Sequence, residues 1–313
     1  MDSLLFSLNA VLPVFLIILA GYFFARYKIL DTDFSDTASR FVFIAALPAL
    51  LFKNVAGSDF SGIFNRDLLN SVLLVVAATV LIFSSLIFFT KKRFVDEKRR
   101  GAFIQGSFRG NFALLGIPLI YNIASDEGVL AASLIAAFVI PLYNILAIIA
   151  LSLHRKTGIK LMVITMIKNP LIIATVAGMM VSAANIELPV IFNRTVDMLA
   201  VLAIPMALLS IGVFFKLDNF FSNIKTVTLT AVIKTVITPL IFAPAAYLAG
   251  LRGVYLASVF VLFAAPSAVS CYIMAKGMGA DEELTAGIII LSTAISSLTL
   301  FVGIYILRNL GLI

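Results

Sequence analysis

The chain is poor in the residues that build most soluble active sites. It has one cysteine, Cys271, one histidine, His154, and no tryptophan. A single cysteine excludes an internal disulfide framework. No Cys/His cluster has metal-ligand spacing, so neither a metal nor any other cofactor is expected. Charged residues make up 12% of the chain, against about 25% in a soluble domain. No Gly-x-x-x-x-Gly-Lys-Ser/Thr motif is present, which excludes nucleotide-driven transport through a phosphate-binding loop. Nor does any apolar run hold an Asp or Glu at its middle: Asp126, Glu127, Glu187, Asp197 and Asp281 to Glu283 fall at loops or ends. Proton coupling through protein carboxylates is therefore not expected; either a substrate carboxylate carries the proton or transport is uncoupled. Without a nucleophile and base, paired aspartates or metal ligands, an intramembrane enzyme is not expected either.

What the chain has instead is apolar length. Hydrophobic types are 62% of its 313 residues. Apolar runs fall at about 4–25, 37–55, 68–90, 102–121, 128–153, 161–184, 196–215, 225–249, 253–276 and 283–308. A spanning helix takes roughly 20 residues, so about ten spans consume nearly the whole chain. Helices are required, because unpaired backbone groups in lipid cost several kcal/mol each. The ten-residue alternation of a membrane β-barrel is absent. The fold class is therefore an all-α polytopic membrane protein. The first run follows Asp2 rather than a basic segment and has no small-residue cleavage site, so it reads as a retained span.

The net charge is +7. The cations sit in short loops between runs, where they determine topology rather than bind nucleic acid. Alternate loops (26–40, 91–101, 154–168, 216–225 and 276–283) hold 16 Lys and Arg, and the opposite loops and ends hold five: Lys53, Arg66, Arg194, Arg252 and Arg308. The bias places the first set on the cytoplasmic side, with both termini outside. Arg109 and Lys234 fall inside runs. Arg109, near the cytoplasmic end of its run, is expected to snorkel to the interface. Lys234 either attracts an anionic substrate or contacts carbonyls freed by a nearby helix break.

The loop 154–168 separates 1–153 from 169–313, five runs each. An odd number of spans per half inverts the second half relative to the first. Proline recurs at matched places: Pro48 and Pro205 in the second and seventh runs, Pro118 and Pro266 in the fourth and ninth. Paired interruptions in two inverted halves point to a transport site near the midplane. Pro118 would clash with the carbonyl of Leu114, and Gly116 weakens the same turn, so the fourth run should open there. An opened helix presents a positive N-terminal end that favours an anion. Asn111 offers a donor and an acceptor, for a solute or for a neighbouring helix. Ser267 and Ser270 add hydroxyls beside Pro266. Of the two, Ser270 is the better candidate for bonding back to its own preceding turn.

Asn111-x-x-x-x-Gly116-Ile117-Pro118-Leu119 resembles the fourth-helix signature of the auxin efflux carrier (PIN-like) family and its bacterial relatives. Pro266, Ala275-Lys276, Leu284 and Gly287-Ile288 agree in order, as do Lys168-Asn169-Pro170, Met206 to Gly212, and Lys234 five residues before Pro239. The resemblance implies two inverted five-helix repeats, with the fourth and ninth helices broken and crossing at their prolines. It implies elevator-like transport of small organic anions such as malonate or malate, and a homodimer. The long central hydrophilic loop of the plant members is missing, which favours the bacterial type. Carried onto this chain, the substrate site comprises Asn111, Gly116, Ile117, Pro118, Pro266 and Ser267. Lys53 stands where the family places a polar substrate-facing side chain, and it either contacts the anion or snorkels. Tyr143 and Asn144, after Pro141, either complete the pocket or pack. A channel and a receptor for a small anionic ligand are the alternatives; a channel would use charged rings or carbonyl filters assembled by symmetry.

Overall fold

A computed structural model describes residues 13, 16–57, 66–91, 93, 96–153, 167, 168, 170–214 and 217–313. Most of the expected connecting loop 154–168, with His154 and its basic neighbours, lies outside the described residues, as does the start of the first run. The described chain is helical throughout apart from turns and one isolated bridge. The helices are α1 (Leu16–Arg26), α2 (Thr32–Ala56), α3 (Arg66–Thr90), α4 (Glu97–Phe108), α5 (Ile117–Ser152) and α6 (Pro170–Ala183). They continue with α7 (Val190–Phe214), a short α8 (Leu217–Ser222), α9 (Ile224–Leu248), α10 (Gly253–Ala264), α11 (Ser270–Met278) and α12 (Glu282–Asn309). Six of the described helices are long and apolar enough to cross a membrane, and α1, α6 and α10 are shorter apolar ones.

Their outward faces are those of lipid-facing helices. Leu81, Phe88 and Phe89 on α3, Ile191 on α7, and Leu240 and Leu248 on α9 are all exposed. Contiguous exposed apolar surface on this scale is not tolerated in water. The chain is an all-α polytopic membrane protein, as its composition requires.

Three prolines leave the same signature. Pro48, Pro118 and Pro239 each sit just after a five-residue π-helical turn, at Val42–Ala46, Phe112–Gly116 and Ile233–Ile237. In each case the residue before the proline donates its N–H five residues back: Leu47 to Val42, Ile117 to Phe112, Thr238 to Ile233. A proline ring clashes with the carbonyl four residues earlier. Widening the preceding turn moves that carbonyl aside, so the helix is locally loosened and not cut. Pro205 needs no such turn and lies within a continuous α7. The second and seventh runs therefore bend or pass through their prolines, and neither is broken.

The separation expected near residues 122–127 is absent as a coil: α5 keeps helical backbone through Asp126 and Glu127. It is not straight, however. A straight helix would hold Asn144 about 40 Å from Ile117. Yet Asn144 accepts a 2.7 Å hydrogen bond from Arg109, a few residues before Ile117. The chain reverses between these points, and Ala150, near the end of α5, lies against Gly101 of α4. The fourth and fifth runs thus remain two passes joined by a helical bend.

The helices sort into two bundles. In the first, α2 packs along α6 and α7, and Gly21 of α1 and Gly212 of α7 let those two backbones touch. In the second, α5 packs on α3, α4 and α10, while α9 and α12 close around α4 and α10. Contact between the bundles runs through α11 against α2 and α7, and through α5 against α6.

A Cβ at Gly101 would lie 2.7 Å from the carbonyl oxygen of Ala150. Gly101→Val should therefore cost about 1–3 kcal/mol by overpacking. The expected result is a lower melting temperature in detergent and a smaller monodisperse fraction on size exclusion. A variant as stable as wild type would contradict the close α4–α5 approach.

Candidate functional site

Two helices stop inside the second bundle and meet where they stop. The helix α4 ends at Phe108, and Arg109 to Asn111 run extended or irregular before the π-turn restarts the helix. The helix α10 ends at Ala264, and residues 265–269 lead to α11. The two breaks pair as a short antiparallel bridge between Gly110 and Ser267. Asn111 N–H donates to the Pro266 carbonyl at 2.7 Å, and Ala268 N–H donates to the Arg109 carbonyl at 3.2 Å. The fourth-run break thus falls at Arg109 to Asn111, several residues before Pro118. Proline is tolerated in the first turn of a helix, and that is where Pro118 sits, directly after the π-turn. Its side chain lies outside the described residues.

Stopping a helix in a membrane strands its last carbonyls, and at the end of α10 those of Leu262, Phe263 and Ala264 have each acquired a donor, while Val261 keeps its bond within the helix. Val261 O accepts from Ala265 N–H at 2.8 Å. Leu262 O and Phe263 O accept from Lys234 Nζ at 3.5 and 2.5 Å. Ala264 O accepts from Ser296 Oγ at 2.7 Å. On the other break, Gly106 O accepts from Ser267 Oγ at 2.7 Å, while Ser267 N–H donates to Ser292 Oγ. Gly110 permits this crowding: a Cβ there would stand 3.0 Å from Leu262 O and 3.3 Å from Lys234 Nζ.

Beside the crossing, a partly open cleft lies between the bundles. The first bundle contributes Leu47, Leu50, Leu51 and Asn54 of α2, and Ala203, Ile204 and Ala207 of α7. The second contributes Arg109 to Phe112, Ile140, Tyr143, Ala268 to Ser270 and Ile273. Both restarting half-helices therefore border the cleft with their N-terminal ends, where free N–H groups carry positive partial charge.

The predicted site residues divide accordingly. Asn111 and Tyr143 line the cleft. Tyr143 is buried, with its hydroxyl toward Thr79 and the Gly110 backbone. Asn144 stands one layer behind, holding Arg109 by its Oδ1, and its Nδ2 is unpartnered among the described residues. Gly116 is buried with Phe112 against its Cα, Ile117 is half-buried, and neither lines the cleft. Pro266 acts through its carbonyl. Ser267 braces the break, whereas Ser270, expected to bond to its own preceding turn, is the serine that lines the cleft. Lys53 lies elsewhere, half-exposed in a 2.7 Å ion pair with Asp197 of α7. Lys234 is fully buried on the freed carbonyls and is not a cleft residue.

Arg109 is the correction of consequence. It does not snorkel: it is 4% exposed, lies within the break and lines the cleft. Its guanidinium donates to Asn144 Oδ1 at 2.7 Å and to the Met274 sulfur, a weak acceptor. Among the described residues it has no carboxylate partner. Arg100, also buried, shows the contrast with its 2.8 Å pair to Glu97. The signal was present in the sequence: Arg109 immediately precedes Gly110-Asn111, two adjacent residues that continue a helix poorly. Asn54 gave no such signal.

Removing one brace should be costly. Ser296→Ala leaves the Ala264 carbonyl without its donor and should destabilise the protein by about 1–3 kcal/mol. The control Thr299→Ala loses only a bond to its own helix, at Ile295, and should melt close to wild type. Equal melting temperatures for the two variants would contradict this role for Ser296.

Comparison with known proteins points to membrane transport. The family model described as "Membrane transport protein" matches residues 6–304. An uncharacterized transporter of Methanothermobacter thermautotrophicus is 22% identical over 294 residues, covering 94% of this chain and 96% of the relative. A protein named "Putative malonate transporter" in Rhizobium meliloti is 25% identical over 316 residues, covering 96% and 95%. The uncharacterized transporter YfdV of Escherichia coli K12 is 24% identical over 284 residues, covering 87% and 88%. With its family match running almost end to end and its broken helices crossing beside a cleft, the chain belongs to the membrane transport protein family of auxin efflux, PIN-like carriers.

Proposed function

We propose that the protein is a secondary carrier of small organic anions, mono- or dicarboxylates, across a bacterial cytoplasmic membrane. The observation that carries the reading is Arg109: a buried guanidinium facing a cleft with no carboxylate partner among the described residues. An uncompensated buried charge costs several kcal/mol, and an anionic ligand would offset that cost. The two half-helix N-termini add to the same potential. Asn111, whose side chain lines the cleft and does not cap the helix it precedes, is placed to orient the carboxylate. The relative named for malonate makes that dianion the first substrate to test.

The cleft lies at the boundary of the bundles, so access alternates if the crossing bundle slides as a unit along α2 and α7. This elevator reading draws support from the thin contact between bundles and from the crossing's lying wholly within one of them. In this reading residues 1–153 and 169–313 are inverted repeats. The cation-rich loops face the cytoplasm, both termini face outward, and two copies form a dimer. A channel would lack the saturation that one occluded site imposes.

Counterflow of radiolabelled malonate in proteoliposomes tests the assignment. Asn111→Ala should abolish saturable uptake with an unchanged size-exclusion profile. Arg109→Gln should raise the half-saturating concentration roughly tenfold to a hundredfold, from the loss of a charged hydrogen bond of about 1.5–3 kcal/mol. Lys53→Gln should leave uptake near wild type. Normal transport by Asn111→Ala would refute the site, and wild-type flux that never saturates would favour a channel.

A further inference from the structure

Inside a membrane, the carbonyls at the end of a broken helix are natural ligands for an inorganic cation, and carriers with unwound helices use them so. At the end of α10 a cation is already there. Lys234 is 0% exposed, and its Nζ lies 2.5 Å from Phe263 O and 3.5 Å from Leu262 O. Ala265 N–H and Ser296 Oγ satisfy the flanking carbonyls of Val261 and Ala264. The three carbonyls that this helix end releases are thus occupied, and two of the three by one ammonium.

The placement is built in. The π-turn that relieves Pro239 spans Ile233–Ile237 and includes Lys234. Gly110 on the opposing break leaves the space that the ammonium fills, since a Cβ there would be 3.3 Å from Nζ. Among the described residues no Asp or Glu pairs with Lys234, so carbonyl dipoles alone hold its charge. The helix α9 packs with α10 and α12, so the ammonium is tied to the bundle that contains the crossing.

We propose that the Lys234 ammonium is the resident cation of the crossing: it holds the place of an inorganic monovalent cation, so that the carrier needs no sodium to bind its anion. Removing the side chain then opens a site for a small monovalent cation at the Leu262 and Phe263 carbonyls. The inference goes beyond the proposed function, since it concerns the cation and not the cargo, and the stability measurement below requires no substrate.

The test compares wild type with Lys234→Ala, purified in choline chloride and melted at constant ionic strength with sodium, lithium or methylammonium replacing choline. Wild type should melt at one temperature in all four. Lys234→Ala should melt lower in choline and recover part of the loss, saturably, with methylammonium or a small alkali cation. Lys276→Ala, which removes a cation at the end of α11, should show no such recovery. Malonate counterflow by wild type should be equal in sodium and in choline. A saturable sodium requirement in wild type, for melting or for counterflow, overturns the proposal, and so does a folded Lys234→Ala indifferent to every cation. If Lys234→Ala does not fold in choline, its recovery in methylammonium but not in choline supports the proposal. Failure in every salt leaves the wild-type sodium comparison to decide.

Discussion

The structure depends on one constraint: backbone groups released inside a membrane must find partners other than water. Two helices end in the interior of the second bundle, and between them they would strand several carbonyls and amides. The solution is reciprocal. Asn111 and Ala268 donate across the gap, Ser267 braces the end of α4, and Lys234 and Ser296 brace the end of α10. Each break is stable because the other is there. Neither could be straightened or moved without leaving polar groups of its partner bare, at about 1–3 kcal/mol apiece.

That reciprocity is also what makes a site. Irregular backbone at membrane depth survives where it is buried in protein or lines a cavity, and here it does both. Toward α9 and α12 the breaks are sealed. Toward α2 and α7 they present Arg109, Asn111, Tyr143 and the N-terminal ends of two half-helices. A positively biased cleft with a mostly apolar wall suits a small molecule that carries a carboxylate on a short carbon frame.

Much of this was legible in the residues. The apolar runs yield the passes, because a span has few ways to be built. Pro266 and the stretch from Asn111 to Pro118 mark the two broken segments, and Lys234 was assigned freed carbonyls as one of its two roles. Two errors share a cause. Proline is the local signal for a rupture, which points to Pro118 in the fourth run. The widened turn at Phe112–Gly116 absorbs that proline, and the rupture falls at Arg109 to Asn111, where an extended conformation gains hydrogen bonds from the other break. In an unbroken run Arg109 would lie close enough to the cytoplasmic end to snorkel. Both outcomes depend on contacts more than 150 residues apart in the chain, which no local pattern encodes. Lys53 is a different case: its partner Asp197 sits on α7, which begins at Val190, several residues before the apolar run that marks it in the sequence.

The most direct measurement of the central claim is an experimentally determined structure in lipid nanodiscs with malonate present. The account predicts helices interrupted at 109–111 and 265–269, paired through Gly110 and Ser267, with a carboxylate between the Arg109 guanidinium and Asn111. Continuous helices through either interval would contradict it, as would malonate bound away from the crossing, for instance at the Lys53–Asp197 pair.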